Sequence, residues 1–337
     1  MDVQSQEEPS FQASLQELDA RRQAGDIAAL AQGCLQVAQA CAARGSLRRA
    51  LTLYEEALKA FEELDDRAAK LFCLKNLAGI CYREGAWNRA LELYQQALDL
   101  NGACADREEL ALIYSQMGSV HQGQGEWEKS LEDYRRSLGI REDLADTRGM
   151  ALLHNNLGAV FARQGRWQEA QQAWDRCLDL HSQTGDRIGQ AITLGNLGHL
   201  AERQQNWANA LAWYEQGLAV YQDASDPLGE ATIWNNVGYV HKHLGHPDQA
   251  LAAYQKGLML LQKMGDSLRA TVAMYNIAMI HEDTGNYREA LRLLEQVVDL
   301  DRRIGHPDLR RDMEAFRRVR QRLDAERDVS RIREERA

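Results

Sequence analysis

Residues 147–186 read TRGMALLHNNLGAVFARQGRWQEAQQAWDRCLDLHSQTGD, and the same arrangement returns forty residues earlier and forty residues later. One column of this register is Gly45, Gly85, Gly125, Gly165, Gln205, Gly245, Gly285. Five positions on, a second is Ala50, Ala90, Ser130, Ala170, Ala210, Ala250, Ala290. Four further on stand Tyr54, Tyr94, Tyr134, Trp174, Tyr214, Tyr254, Leu294, and after another four Leu58, Leu98, Leu138, Leu178, Leu218, Leu258, Val298. Apolar and small residues at steps of four trace one stripe of a helix. Upstream in each block a second stripe is carried by Leu74, Leu77, Ala78 and Cys81, or by Trp234, Val237, Gly238 and His241, at offsets 0, 3, 4 and 7. That is a second amphipathic helix.

Each block therefore reads helix A, tight turn, helix B, loop. In the second block the spacing predicts helix A over roughly 67–84 and helix B over roughly 87–102, and adding forty gives the others. Between blocks, Asp106-Arg107, Asp186-Arg187 and Gly265-Asp266 place an aspartate where its carboxylate accepts from the free first-turn N–H groups of the next helix. Seven blocks begin near 27, 67, 107, 147, 187, 227 and 267, the first being the most degenerate. The expected organisation is a disordered start with an N-terminal capping helix in 1–26 (helical over 10–24), seven repeats in 27–306, and a C-terminal capping helix with a charged tail in 307–337. A terminal repeat would otherwise leave its apolar face in water. The last helix, 307–325, carries Leu309, Met313, Phe316 and Leu323 on one side, and 326–337 has little to bury.

The pattern resembles the tetratricopeptide repeat, with small residues at the close contacts of a helix pair, an aromatic late in helix B and a Leu-Gly dipeptide in helix A. Asn196-Leu197-Gly198, Asn156-Leu157-Gly158 and Asn236-Val237-Gly238 carry the match. The forty-residue period is similar to that of G-protein-modulator scaffolds that orient the mitotic spindle and of kinesin light chains; bacterial regulatory repeat proteins also use it. The proline that often ends ordinary repeats is mostly missing here. The resemblance implies an all-α fold, a right-handed α-solenoid of about seven helix-turn-helix units whose A helices line a concave wall. Functional residues then lie on helix A off its buried stripe.

In the second block that rule selects Phe72, Lys75, Asn76, Gly79 and Arg83. The Asn76 column continues as Gln116, Asn156, Asn196, Asn236 and Asn276, with Gln36 as its earliest member. An amide both donates and accepts, so it suits the unpaired backbone of an extended peptide. In families of this architecture the matching asparagine contacts bound peptides, and chaperone-binding members hold a terminal carboxylate with it. The resemblance carries that role to Asn76, Asn156, Asn196, Asn236 and Asn276. The competing reading is a repeated structural bond between neighbouring helices. Lys75, Arg83, Arg163, Arg203 and Lys242, with His199 and His243, make the wall basic, whereas the last repeat offers Glu282 and Asp283. Asn155, Asn235 and Tyr239 add polar and aromatic area near the middle, and Trp234 falls in the buried column.

The 337 residues are 45% hydrophobic and 27% charged with four prolines, a composition suited to a folded helical chain. A net charge of −10 disfavours nucleic acid, which is held by accumulated Lys and Arg. Six cysteines, Cys34, Cys41, Cys73, Cys81, Cys104 and Cys177, lack C-x-x-C spacing and read as reduced thiols. No signal peptide or run of about eighteen apolar residues is seen, so the expected compartment is the cytoplasm with no membrane span. His241, His243 and His246 look like a metal cluster in line, but residues two apart on a helix diverge, and His121, His241 and His281 read as packed histidines with a local hydrogen bond. Trp87, Trp127, Trp167 and Trp207, replaced by Pro247 and Tyr287, read as wedges opening helix B. No phosphate-binding glycine loop, nucleophile elbow or zinc-protease motif occurs, so no catalytic residue, cofactor or metal is expected.

These readings point to a protein-protein interaction scaffold or adaptor. Its partner would be another protein, presenting an extended segment with acidic residues or a free C-terminus. Two alternatives stand beside it: a self-assembling homo-oligomer, and a sensor of a small molecule or signalling peptide.

Overall fold

A computed structural model describes residues 3–102 and 106–334, with side chains for residue 11, 13–102 and 106–327. Cys104 lies outside the described residues. Among these residues there are sixteen helices and no strand. The first is α1 (Val3–Ala24), longer than the predicted 10–24. Seven A helices follow at the predicted register: α2 (Ile27–Ala43), α4 (Arg67–Arg83), α6 (Arg107–Gln124), α8 (Thr147–Arg163), α10 (Arg187–Arg203), α12 (Pro227–His243) and α14 (Ser267–Asp283). The intervening B helices are α3 (Leu47–Glu63), α5 (Trp87–Gly102), α7 (Trp127–Asp143), α9 (Trp167–Thr184), α11 (Trp207–Asp223), α13 (Pro247–Met264) and α15 (Tyr287–Ile304). The last helix, α16 (Leu309–Glu334), runs well beyond the predicted 325.

Both ends of an A helix are written into the repeat. Asp26, Asp66, Asp106, Asp146, Asp186, Asp226 and Asp266 each accept a hydrogen bond from the N–H three residues on. This satisfies donors that the helix itself leaves free. At the other end Gly85 takes φ +76°, a left-handed conformation that costs a side-chain-bearing residue, and the Ala86 N–H then reaches the Cys81 carbonyl at 2.8 Å. Gln205 adopts the same conformation without glycine's freedom.

The helices fall into two compact units, Met1–Gly165 with α1 to α8 and Arg166–Ala337 with α9 to α16. Within each, helices pack on their neighbours in sequence, α1 on α2 and α16 on α15 at the extremes. This is the all-α solenoid arrangement that the forty-residue register predicts. The stripe Leu74, Leu77, Ala78 and Cys81 is buried, as are Tyr54, Tyr94, Tyr134, Tyr214 and Tyr254 of the B helices. The Leu-Gly dipeptide has a steric reason. A Cβ on Gly118, Gly198 or Gly238 would come within 2.8 Å of the ring of Tyr134, Tyr214 or Tyr254.

His121 donates or accepts at 2.8 Å with the buried Asp133, the local hydrogen bond predicted for it. His241 differs, because its Nδ1 is buried without a partner. In α16 the buried side chains are Asp312, Ala315, Val319 and Leu323, so the stripe is rotated from the predicted one and Leu309, Met313 and Phe316 are only half-buried. Trp234 is also half-buried, its indole N–H directed at Glu230 and its ring 4.0 Å from the Lys256 ammonium. Among the described residues no helix is long and apolar enough to cross a membrane, and no group of three or more His, Cys, Asp or Glu side chains is placed to hold a metal ion.

Candidate interaction face

Burying Leu74, Leu77, Ala78 and Cys81 turns the residues between them outward. In the first unit Phe72, Asn76, Gly79 and Arg83 of α4 and Leu112 and Gln116 of α6 line one hollow of about 530 Å³. Lys75 lies on the same wall, so α4 brings together all five residues that the spacing selects, joined by Gln116 from α6. Gly79 leaves the floor open, the Tyr94 hydroxyl lying 3.9 Å from where a Cβ would sit. The Asn76 amide donates to the Phe72 carbonyl at 2.8 Å, which fixes the side chain while leaving its oxygen as an acceptor. Gln116 is exposed; Asn155 and Asn156 of α8 are half-buried.

The basic wall needs correction. Lys75 forms an ion pair with Glu109, one repeat on, and Lys242 pairs with Asp283 at 3.0 Å. Neither partner is readable from helix A of the same block. Arg203 lies over the ring of Trp167 at 5.8 Å, and His243 stacks on Trp207 at 4.8 Å. Arg83 and Arg163 are exposed.

In the second unit the selected residues are brought together, but largely onto one another. Asn276 donates to the Asn235 side-chain oxygen at 2.8 Å, and the Asn236 amide meets His199 Nε2 at 3.3 Å. His199 Nδ1 lies 2.9 Å from the Tyr214 hydroxyl, which donates to Glu202 at 2.8 Å. These directions agree for an imidazole protonated at Nδ1 that accepts from Asn236 at Nε2. Asn196 is half-buried. Tyr239 is 42% exposed and packs on His243 with its ring tilted by 57°, 4.4 Å between ring centroids. The amide column thus links neighbouring repeats here, the structural role that competes with peptide contact.

Glu282 is not part of an open acidic face. It is buried, and Arg318 and Arg322 of α16 hold it. The Arg318 hydrogen bonds keep its carboxyl below the ordinary range.

The outward column that begins at Phe72 is the most informative. Phe72 is 36% exposed, Leu112 36%, Leu152 52% and, in the second unit, Ile192 47%. They recur every forty residues, one helical turn before Asn76, Gln116, Asn156 and Asn196. The outward offset of Phe72, carried forward by forty, selects the other three as well.

The sequence profile of the tetratricopeptide repeat matches residues 28–101, 149–223 and 229–303, and a second profile of the same description matches 110–146. No curated protein sequence matches the chain. Among solved structures, BtubC (BKLC) from P. vanneervenii is 22% identical, with a TM-score of 0.58 over 65% of this chain and 92% of that one. A signal transduction ATPase with numerous domains and a tetratricopeptide repeat sensor, PH0952 from Pyrococcus horikoshii, is 14% identical with a TM-score of 0.65, over 93% of this chain and 49% of its own. Aspartyl phosphate phosphatase F from Bacillus subtilis is 14% identical with a TM-score of 0.59, over 80% and 75%. At these identities the likeness is one of fold.

Proposed function

The chain belongs to the tetratricopeptide repeat family, and we propose that it works as a protein-interaction scaffold whose first unit holds an extended segment of a partner protein against the outward face of α4, α6 and α8. The observation that carries this reading is the exposed apolar column Phe72, Leu112 and Leu152 beside the amide column Asn76, Gln116 and Asn156. Apolar side chains left in water at a regular interval gain when a partner covers them, at roughly 25 cal/mol per Å² buried. The neighbouring amides serve backbone groups of a segment that has no secondary structure of its own.

The second unit contributes less directly. Its amides are engaged with His199 and Asn235, so its surface offers Tyr239 and the aromatic pair of Trp207 and His243 rather than a free amide row. Binding rather than catalysis is the activity, because the polar clusters of the face are ordered between repeats and open to water. The cytoplasm suits it: the described cysteines are buried thiols, and burial pushes Cys34 and Cys73 up to about 12.

Capture from a native extract tests the reading, with wild type beside a Phe72→Ser, Leu112→Ser, Leu152→Ser variant of equal helicity and melting. Retention of a protein by wild type alone, competed by a peptide from that protein, supports the face. Equal retention by both moves binding elsewhere.

A further inference from the structure

Apart from the face on the first unit, we infer that the second unit holds a binding site for a small uncharged apolar molecule, the size of a substituted benzene, in a cleft between α12, α13 and α14. The cleft has a volume of about 160 Å³. Its walls are Ala231 of α12, Gly257 and Leu261 of α13, and Val272 and Ala273 of α14, together with the buried Tyr254. Thr232 and Arg269, which also line it, are exposed and mark its mouth.

The repeat explains why the cleft is there. Across each B helix and the A helix that follows, residues sixteen apart fall at one register: Ala97 with Ile113, Ser137 with Leu153, Cys177 with Thr193, Gly217 with Ile233, and Gly257 with Ala273. Cys177 Sγ meets Thr193 Oγ1 at 3.3 Å. A Cβ on Gly217 would lie 3.7 Å from Ile233 Cδ1, so there a large side chain fills what the glycine leaves. At Gly257 the register supplies only Ala273. The three atoms nearest to an added Cβ belong to Ala231, Trp234 and Asn235 of α12, and none to α14. Two truncations coincide, and the space that an isoleucine occupies one repeat earlier is left unfilled. Ala231, Leu261, Ala270 and Ala273 accordingly form a small core cluster of their own, three of its four members being alanine.

Size and chemistry select the occupant. Water placed against these walls finds few partners, because the backbone groups of a helix interior are already bonded within the helix. A hydrocarbon-lined cavity of about 150 Å³ stays dry and takes up benzene. Atoms that face a void forfeit contacts, and a ligand of matching shape restores them. Arg269 is the one charged residue of the lining, and its guanidinium is paired with Asp266, so an ionic ligand is offered no free charge. The polar side chains are likewise engaged: the Thr232 hydroxyl donates to the Leu228 carbonyl at 2.9 Å, and the Asn235 oxygen accepts from Asn276.

Toluene titrated into the full chain, followed through the methyl resonances of Leu261 and Val272, tests the site. The expected result is a single set of saturable shifts at these methyls. Ala273→Ile puts back the side chain of the preceding repeat and should abolish them. Val272→Phe acts at the half-buried rim, placing there the residue that its column carries at Phe72, and should abolish the shifts of Leu261. Both variants are compared with wild type at equal helicity. Shifts that do not saturate, or that survive both substitutions, would overturn the site, and benzoate binding as tightly as toluene would overturn the uncharged class. Tighter binding of N-acetylphenylalaninamide than of toluene would reassign the cleft to an aromatic side chain of a protein partner and overturn the small-molecule assignment.

Discussion

The guanidinium of Arg318 grips the carboxylate of Glu282 through two hydrogen bonds of 2.8 Å each, tying α16 to the last A helix of the array. Glu282 is buried and Arg318 half exposed, so the pair is stronger than a surface bridge yet partly screened.

Arg318→Ala leaves Glu282 with Arg322 alone. We expect α16 to loosen by about 1–3 kcal/mol, within the cost of losing one partner of a buried charge after allowance for solvent screening. Amide hydrogen exchange read along 309–327 checks it, and exchange should rise there and not in α4 or α6. The pair also weakens in acid. The Glu282 carboxyl titrates below its usual value, so its contribution is present above the unfolded pKa near 4.5 and is lost as pH falls through the lower folded value.

Asp301 behaves oppositely. Its side chain is fully buried, and burial beside the Asp312 carboxylate pushes its pKa up to about 6. A raised carboxyl binds more protons folded than unfolded, so stability falls as pH climbs from about 4 to about 6 and stays low above. Asp301→Asn removes the buried charge. It should raise stability at pH 7 and change it little at pH 4, measured by thermal melting of the full chain at both values.

Two glycines at helix-interior positions should respond with opposite signs to the same change. Gly118→Ala drives a methyl to 2.7 Å from the Tyr134 ring and should cost about 1–3 kcal/mol. Gly139→Ala in α7 meets nothing within 4 Å and should stabilise by about 0.5–1 kcal/mol through helix propensity. Denaturant midpoints of the two variants against wild type decide it.

Helix boundaries were legible because each is set by local chemistry repeated seven times. The aspartate before Arg67 or Arg107 and the glycine after helix A need no tertiary information. The partners of Lys75 and Lys242 were not legible. Glu109 lies 34 residues from Lys75 and Asp283 lies 41 from Lys242, and side-chain direction, not column membership, brings them together. Asn235 and Asn276 show the same limit: both columns were visible, but their hydrogen bond depends on how far one A helix is shifted against the next. The apolar column through Leu112 and Leu152 follows from the offset of Phe72, but how far each side chain stays exposed does not. Its side chains are core-like in type, and their exposure of 36% and 52% depends on what packs beside α6 and α8.

The most direct test is a photocrosslink in native extract. Gln116→p-benzoylphenylalanine puts a reactive ketone on the exposed face of α6, while Gly139→p-benzoylphenylalanine puts it on the exposed side of α7. If a partner segment lies on the A-helix face of the first unit, a discrete crosslinked protein forms from position 116 and not from 139, and an excess of a peptide from that protein abolishes it. Crosslinking from 139 alone, or from both positions alike, would contradict that claim.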